Sequence, residues 1–216
     1  MDTQKTPITC PQCSRSASMK VPLKVNTRRD RGARDGILSG SLFAFFCDGC
    51  GYSAEVLPRG FLYQDPALRL MVYLSPSGDP ATHNIQLPTS FGDYRLRVVS
   101  DRVRLVEQIL IRESGFEDRH VMLFKAQVKS TVDHGQVSAP ASMVFAGLLG
   151  EASEVALSLP DGTIVALPKA HLDATIAAYP LQSEIPLTWM RIDSAWAEVR
   201  LAERAPARSG TWWSRE

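Results

Sequence analysis

Ile8-Thr9-Cys10-Pro11-Gln12-Cys13 and Phe46-Cys47-Asp48-Gly49-Cys50-Gly51 decide how this chain is read. They hold all four cysteines of the protein as two CxxC pairs separated by 33 residues. A CxxC turn aims two sulfurs at one point, and two such turns together supply the four ligands of a tetrahedral ion. Cys10, Cys13, Cys47 and Cys50 are therefore the expected metal ligands, and one structural Zn2+ the expected ion. The separation exceeds the roughly 15–20 residues of compact sites. Doubling a loop costs only about 0.6 kcal/mol of closure entropy, against about 10–16 kcal/mol from a structural zinc ion.

Three other chemistries compete. Cys10-Pro11-Gln12-Cys13 also fits a thiol oxidoreductase, in which a helix follows the motif and lowers the thiol pKa. Here Ser14–Asn26 alternates like a strand instead. An iron–sulfur centre uses the same four thiolates. Disulfides are disfavoured in a reducing compartment. Met1-Asp2-Thr3-Gln4-Lys5-Thr6 has no apolar secretory core, and the charge-poor stretch Gln136–Gly150 is too short to span a bilayer, so a cytoplasmic location without a membrane partner is expected.

Hydrophobic residues make up 44% and charged residues 22% of the 216, as in an ordinary globular protein. The net charge of +1 argues against bulk nucleic-acid binding. Its distribution is uneven: residues 1–50 carry eight Lys/Arg against four Asp/Glu, and residues 151–216 carry six against nine. Arg28, Arg29, Arg31 and Arg34 concentrate the excess between the cysteine pairs, as a solvated loop or as a nucleic-acid contact.

Along the chain, Met19, Val21, Leu23 and Val25 give the period-two pattern of a strand, with Pro22 confining it to an edge or to a position where the missing donor does no harm. Ser41–Phe46 reads as a buried strand and Tyr52–Leu57 as its return, with Gly51 tolerating positive φ between them. Gly60–Leu74 reads as a hairpin turning at Gln64-Asp65-Pro66, followed by loops at 75–80 and near 91–93 around Asn84–Pro88. Tyr94–Val99 reads as a strand. Val103, Val106, Ile109 and Leu110 then form a helical stripe capped by Ser100 or Asp101, and Gly115 ends it. Asp118 starts a second helix, giving a helix hairpin near 101–130.

Residues 131–140 are polar and make a candidate linker. Beyond it, Met143–Leu149 is an apolar run, and Val155–Leu159 and Thr163–Leu167 flank an Asp161-Gly162 turn. A helix opens with Pro168 at its first position and runs to Tyr179, stopped by Pro180. A strand at Leu187–Ile192, a helix at Ser194–Glu203 and a frayed tail complete the chain. His120 and His171 fall on helices and His83 and His134 in loops, without a ligand motif. Neither a GxSxG elbow nor a phosphate loop is present.

With these motifs in view, the chain resembles the CpXC protein family of bacteria and archaea. The likeness runs from Ile8–Cys13 through Gly36–Phe43 and Phe46–Tyr52 to Leu62–Pro66 and Met71–Leu74. Arg97–Val99, Leu105–Ile109, Phe116–Arg119 and Leu123–Lys125 extend it over about 8–130. The second pair, Cys47-Asp48-Gly49-Cys50, lacks the family's proline, which tightens the turn but ligates nothing. The resemblance implies a zinc-ribbon-like four-cysteine site and no activity.

The expectation is thus an α+β protein. Residues 1–130 form a zinc-ribbon-containing domain with a helix hairpin, 131–140 a linker, and 141–216 a small α+β region. No catalytic constellation is legible, so a non-enzymatic binding module with a protein partner is expected.

Overall fold

The computed structural model describes residues 1–76, 92–134, 142–181 and 188–204. The chain divides into two compact units, Met1–Ile109 with Glu184–Arg191, and Leu110–Ser183 with Ile192–Glu216. The architecture is α+β, as the alternation of two-residue and helical periods implies.

In the first unit, β1 (Asp2–Thr9) and β2 (Ser16–Asn26) form a long antiparallel hairpin around the first cysteine pair. β3 (Ala44–Phe46) and β4 (Ser53–Glu55) form a shorter one around the second. β5 (Phe61–Asp65), β6 (Leu70–Leu74) and β7 (Arg95–Val99) complete a sheet in the order β1-β2-β5-β6-β7. The β5–β6 turn is set by Asp65, whose carboxylate accepts the N–H groups of Ala67 and Leu68. Phe61, Tyr63, Leu70, Val72 and Leu74 are buried there with Phe43 and Ile37. α2 (Arg102–Glu113) adds Leu105 and Ile109 to this core, and Asp101 caps it by accepting the Arg104 N–H at 2.8 Å.

Several expectations are corrected. The polar segment Asp2–Thr9 is a strand, because a register with β2 satisfies its backbone where its side chains give no apolar signal. Of the two places open to Pro22, the structure takes the second: β2 is paired with β1 and β5, and not at an edge. Pro22 is tolerated because β5 meets β2 only at Lys24, Val25 and Asn26, and because the β1 register shifts beside Thr3, its partner. Ser41–Phe43 is a 3₁₀ turn rather than strand, and Phe46 in β3 is 65% exposed. Within the arginine segment, Ala33–Ser39 is a short helix, α1, bracketed by Gly32 and Gly40 at φ 79° and 82°. Val103 is exposed, and the buried stripe of α2 runs through Leu105 and Ile109.

The second unit has a three-stranded sheet in the order β10-β9-β8, from β8 (Val144–Leu149), β9 (Glu154–Ser158) and β10 (Ile164–Pro168). Gly162, at φ 85°, makes the β9–β10 turn. Pro168 is the cap of α4 (Lys169–Ala178) and not its first residue, with ψ at 131°. α3 (Asp118–His134) packs with α4 and α5 (Ser194–Arg204). Phe124, Val128, Phe145, Val155, Leu157 and Leu172 are buried together.

Residues 131–134 of the expected linker continue α3, which places His134 at a helix end, and 135–140 lie outside the described residues. So do Asn84–Pro88, His83, most of the 75–80 loop and the tail beyond 204. Of the strand expected at Leu187–Ile192, Met190 makes a single parallel bridge to Arg97.

Candidate metal centre

The two cysteine turns have the same backbone construction. Cys10 donates its N–H to the Arg15 carbonyl at 2.9 Å, and Ser14 donates to the Cys10 carbonyl at 2.9 Å. One pair later, Cys47 donates to Tyr52 at 2.8 Å and Gly51 to Cys47 at 2.9 Å. The residue after each pair is left-handed, Ser14 at φ 57° and Gly51 at φ 75°. Glycine adopts this conformation freely, whereas an L-residue is strained by about 1–2 kcal/mol. Ser14 was missed in the sequence, and laying the two CxxC turns over one another is the signal that would have found it.

These turns bring all four sulfurs together, within 4.8 Å of one another. Cys10 and Cys50 are 3.6 Å apart, as are Cys13 and Cys47, so each close pair joins one turn to the other. A tetrahedron with metal–sulfur arms of about 2.3 Å has edges of about 3.8 Å. All four cysteines are free thiols, far from the disulfide separation of about 2.05 Å. Cys10 and Cys47 are buried with Phe45, against Ile8, Met19, Tyr52 and Val56, while Cys13 and Cys50 are exposed.

The electrostatics favour a bound cation. Burial pushes the Cys10 thiol up, but the N–H groups of Cys13 and Gln12 and the thiols of Cys50 and Cys47 bring it down to about 7. At Cys50 the Tyr52 N–H works to lower the value, yet burial and the thiols of Cys13, Cys10 and Cys47 push it up to about 12. The first proton thus leaves easily and another is held hard, because thiolates packed this closely repel. A metal ion removes that repulsion, so the residues present fit the group. The Gln12 side-chain carbonyl lies 3.8 Å from Cys50 Sγ.

Gly49, in the second turn, packs closely against the Arg15 side chain. A Cβ there would lie 3.0 Å from Arg15 Cδ, 3.2 Å from Arg15 Nη1 and 3.6 Å from Cys13 Sγ. The Arg15 side chain therefore crosses the second turn beside the sulfurs, setting a positive charge next to an anionic centre.

Arg28, Arg29 and Arg31 are exposed in the turns before α1, and Arg34 within α1 pairs with Asp35 at 2.6 Å. Asp30 sits among them, its carboxyl held below the usual range by the Asn26 N–H it accepts. After the first cysteine pair the chain leaves as β2, not as the helix an oxidoreductase motif needs. His120 is engaged by the Tyr179 carbonyl at 2.9 Å, and burial lowers the pKa of His171. Among the described residues no helix is long and apolar enough to cross a membrane.

A family model described as CpXC protein matches residues 8–125, more than half of the chain and all four cysteines. No curated protein and no solved structure matches it.

Proposed function

We infer the role of this chain, which belongs to the CpXC protein family, from the centre it carries: a non-enzymatic binding module whose four cysteines hold one structural zinc ion. The observation that carries the reading is the convergence of four free thiols from two hairpins within 4.8 Å. Four thiolates close the coordination sphere, leaving no position for substrate or water, so such an ion builds structure rather than performing catalysis. The two hairpins with their left-handed turns correspond to a zinc-ribbon-like unit, and its location in the cell is proposed to be the reducing cytoplasm.

A protein partner is favoured by Phe46. This ring is 65% exposed one residue before a ligand, while its neighbour Phe45 is buried beneath the centre. An exposed aromatic on a rigid, metal-braced strand is the kind of anchor around which protein interfaces form. The nucleic-acid reading of Arg28, Arg29, Arg31 and Arg34 is less favoured, since Arg34 is engaged by Asp35.

Metal content and thiol titre, measured on protein purified without added metal, test the centre. About one zinc per chain, with thiols released only by denaturation or chelation, is expected. Iron with visible absorbance, or a metal-free protein that readily forms a Cys10–Cys13 disulfide, overturns it. For the partner, a photo-crosslinker beside position 46 should capture a defined protein that Phe46→Ser loses at unchanged zinc content.

A further inference from the structure

The β1–β2 hairpin has two faces: one packs on the fold, and the other is exposed from Thr9 and Ser16 as far as Lys5 and Lys20, beyond which Pro22, opposite Thr3, is buried. Ile8 and Met19 turn inward onto the cluster of Cys10, Phe45 and Cys47. The other face carries Thr3, Lys5, Pro7 and Thr9 from β1 and Ser16, Ser18 and Lys20 from β2, all of them exposed. In this register Lys5 stands directly opposite Lys20. Directly opposed residues of an antiparallel pair have Cβ atoms about 4.5–5.5 Å apart, and like charges there destabilise the pair. None of these seven residues is acidic. The one acid of β1, Asp2, lies at its base opposite Lys24. Neither lysine is in an ion pair among the described residues.

We propose that this face is a contact surface for the phosphate backbone of a nucleic acid. It runs about 20 Å, six residue steps of about 3.4 Å from Thr9 to Thr3. Its chemistry is two ammonium groups flanked by hydroxyls, and Lys, Ser and Thr are donors that phosphate oxygens take. A protein partner would find no aromatic or large apolar anchor here, and Lys and Ser are depleted from protein interfaces. The face also lacks the Arg, Asn and Gln forks that read base edges, so binding is independent of sequence. A two-stranded ribbon is narrow enough for the major groove of a duplex. Phe46 alternates with the inward-facing Phe45 and so points away from this cluster. The proposal therefore stands apart from the protein-partner reading.

The test is fluorescence anisotropy of the full, metal-loaded chain with labelled 20-base-pair DNA duplexes of two unrelated sequences, titrated across salt. Binding to both with similar affinity is expected. Lys5→Ser with Lys20→Ser should weaken it on the order of tenfold or more at low salt. Losing two phosphate contacts should also reduce the slope of log K against log salt by about 1.8. Lys5→Arg with Lys20→Arg should restore it, and unchanged metal content in both variants excludes misfolding. Absence of duplex binding overturns the proposal, as does an unchanged slope in the double serine variant. Loss of binding only on replacing Arg28, Arg29 and Arg31 moves the contact to that loop and overturns it too. A polyglutamate that competes better than the duplex would assign the face to an acidic protein instead.

Discussion

The cysteine hairpins and the second unit are held together by different means. Around the sulfurs the buried cluster is Cys10, Phe45 and Cys47, and two of those three are ligand candidates. In the second unit ten buried apolar residues pack with one another, among them Phe124, Phe145 and Leu172. The tips of the hairpins, which carry the cysteines, bury little apolar surface of their own, so they are expected to depend on a bound metal more than the second unit does. Where burial is scarce, a ligand set replaces it.

Removing the metal breaks this comparison most sharply. Chelation, or Cys10→Ser with Cys47→Ser, should cost the hairpins on the order of 10 kcal/mol of metal-linked stability. Hydrogen exchange should then show the amides of β1–β4 unprotected while those of α3 and β9 stay protected. Equal loss in both units would show that they do not differ in this way. The reciprocal change is Phe145→Ala. Its ring is fully buried and edge-on to Phe116 at 6.1 Å, and truncation should cost about 3–5 kcal/mol in urea unfolding of the second unit, with or without chelator.

Acidity sharpens the contrast. Cys50, at about 12, carries a proton at neutral pH that a bound ion must displace. Apparent metal affinity should therefore rise with pH, at least about tenfold per unit between pH 6 and 8, and fall on acidification. Competition with a chromophoric chelator measures it. The smallest effects compare the two turns. Gly51→Ala should weaken metal retention by about 1 kcal/mol through backbone strain alone, since nothing lies within 4 Å of the added Cβ. Ser14→Gly should strengthen it by somewhat less, because relief of strain is partly offset by the glycine's greater unfolded-state freedom. Metal-release rates in the two variants should move in opposite directions.

Much of the architecture was legible because it rests on local rules. The β5–β6 hairpin, the Asp161-Gly162 turn, the Asp101 cap and the Gly115 stop each follow from residues within a few positions. The misses share a cause. Asp2–Thr9 carries no apolar alternation, and its pairing with β2 is what makes it a strand. Ser41–Phe46 reads as one buried strand, yet Gly40 turns the chain into a 3₁₀ segment and leaves Phe46 outside. α1 is seven residues long and contains a glycine, too short for a helical stripe to declare itself.

The sequence by itself determined the four ligand candidates, the left-handed glycine beside Cys50, and the mixed α+β class, because each depends on residue type and close spacing. The tertiary structure alone decided which sulfurs face one another across the turns, that Ser14 matches Gly51, that Arg15 lies over Gly49, and that Lys5 stands opposite Lys20. These depend on strand register, and register is fixed by pairing between segments that have no knowledge of one another along the chain.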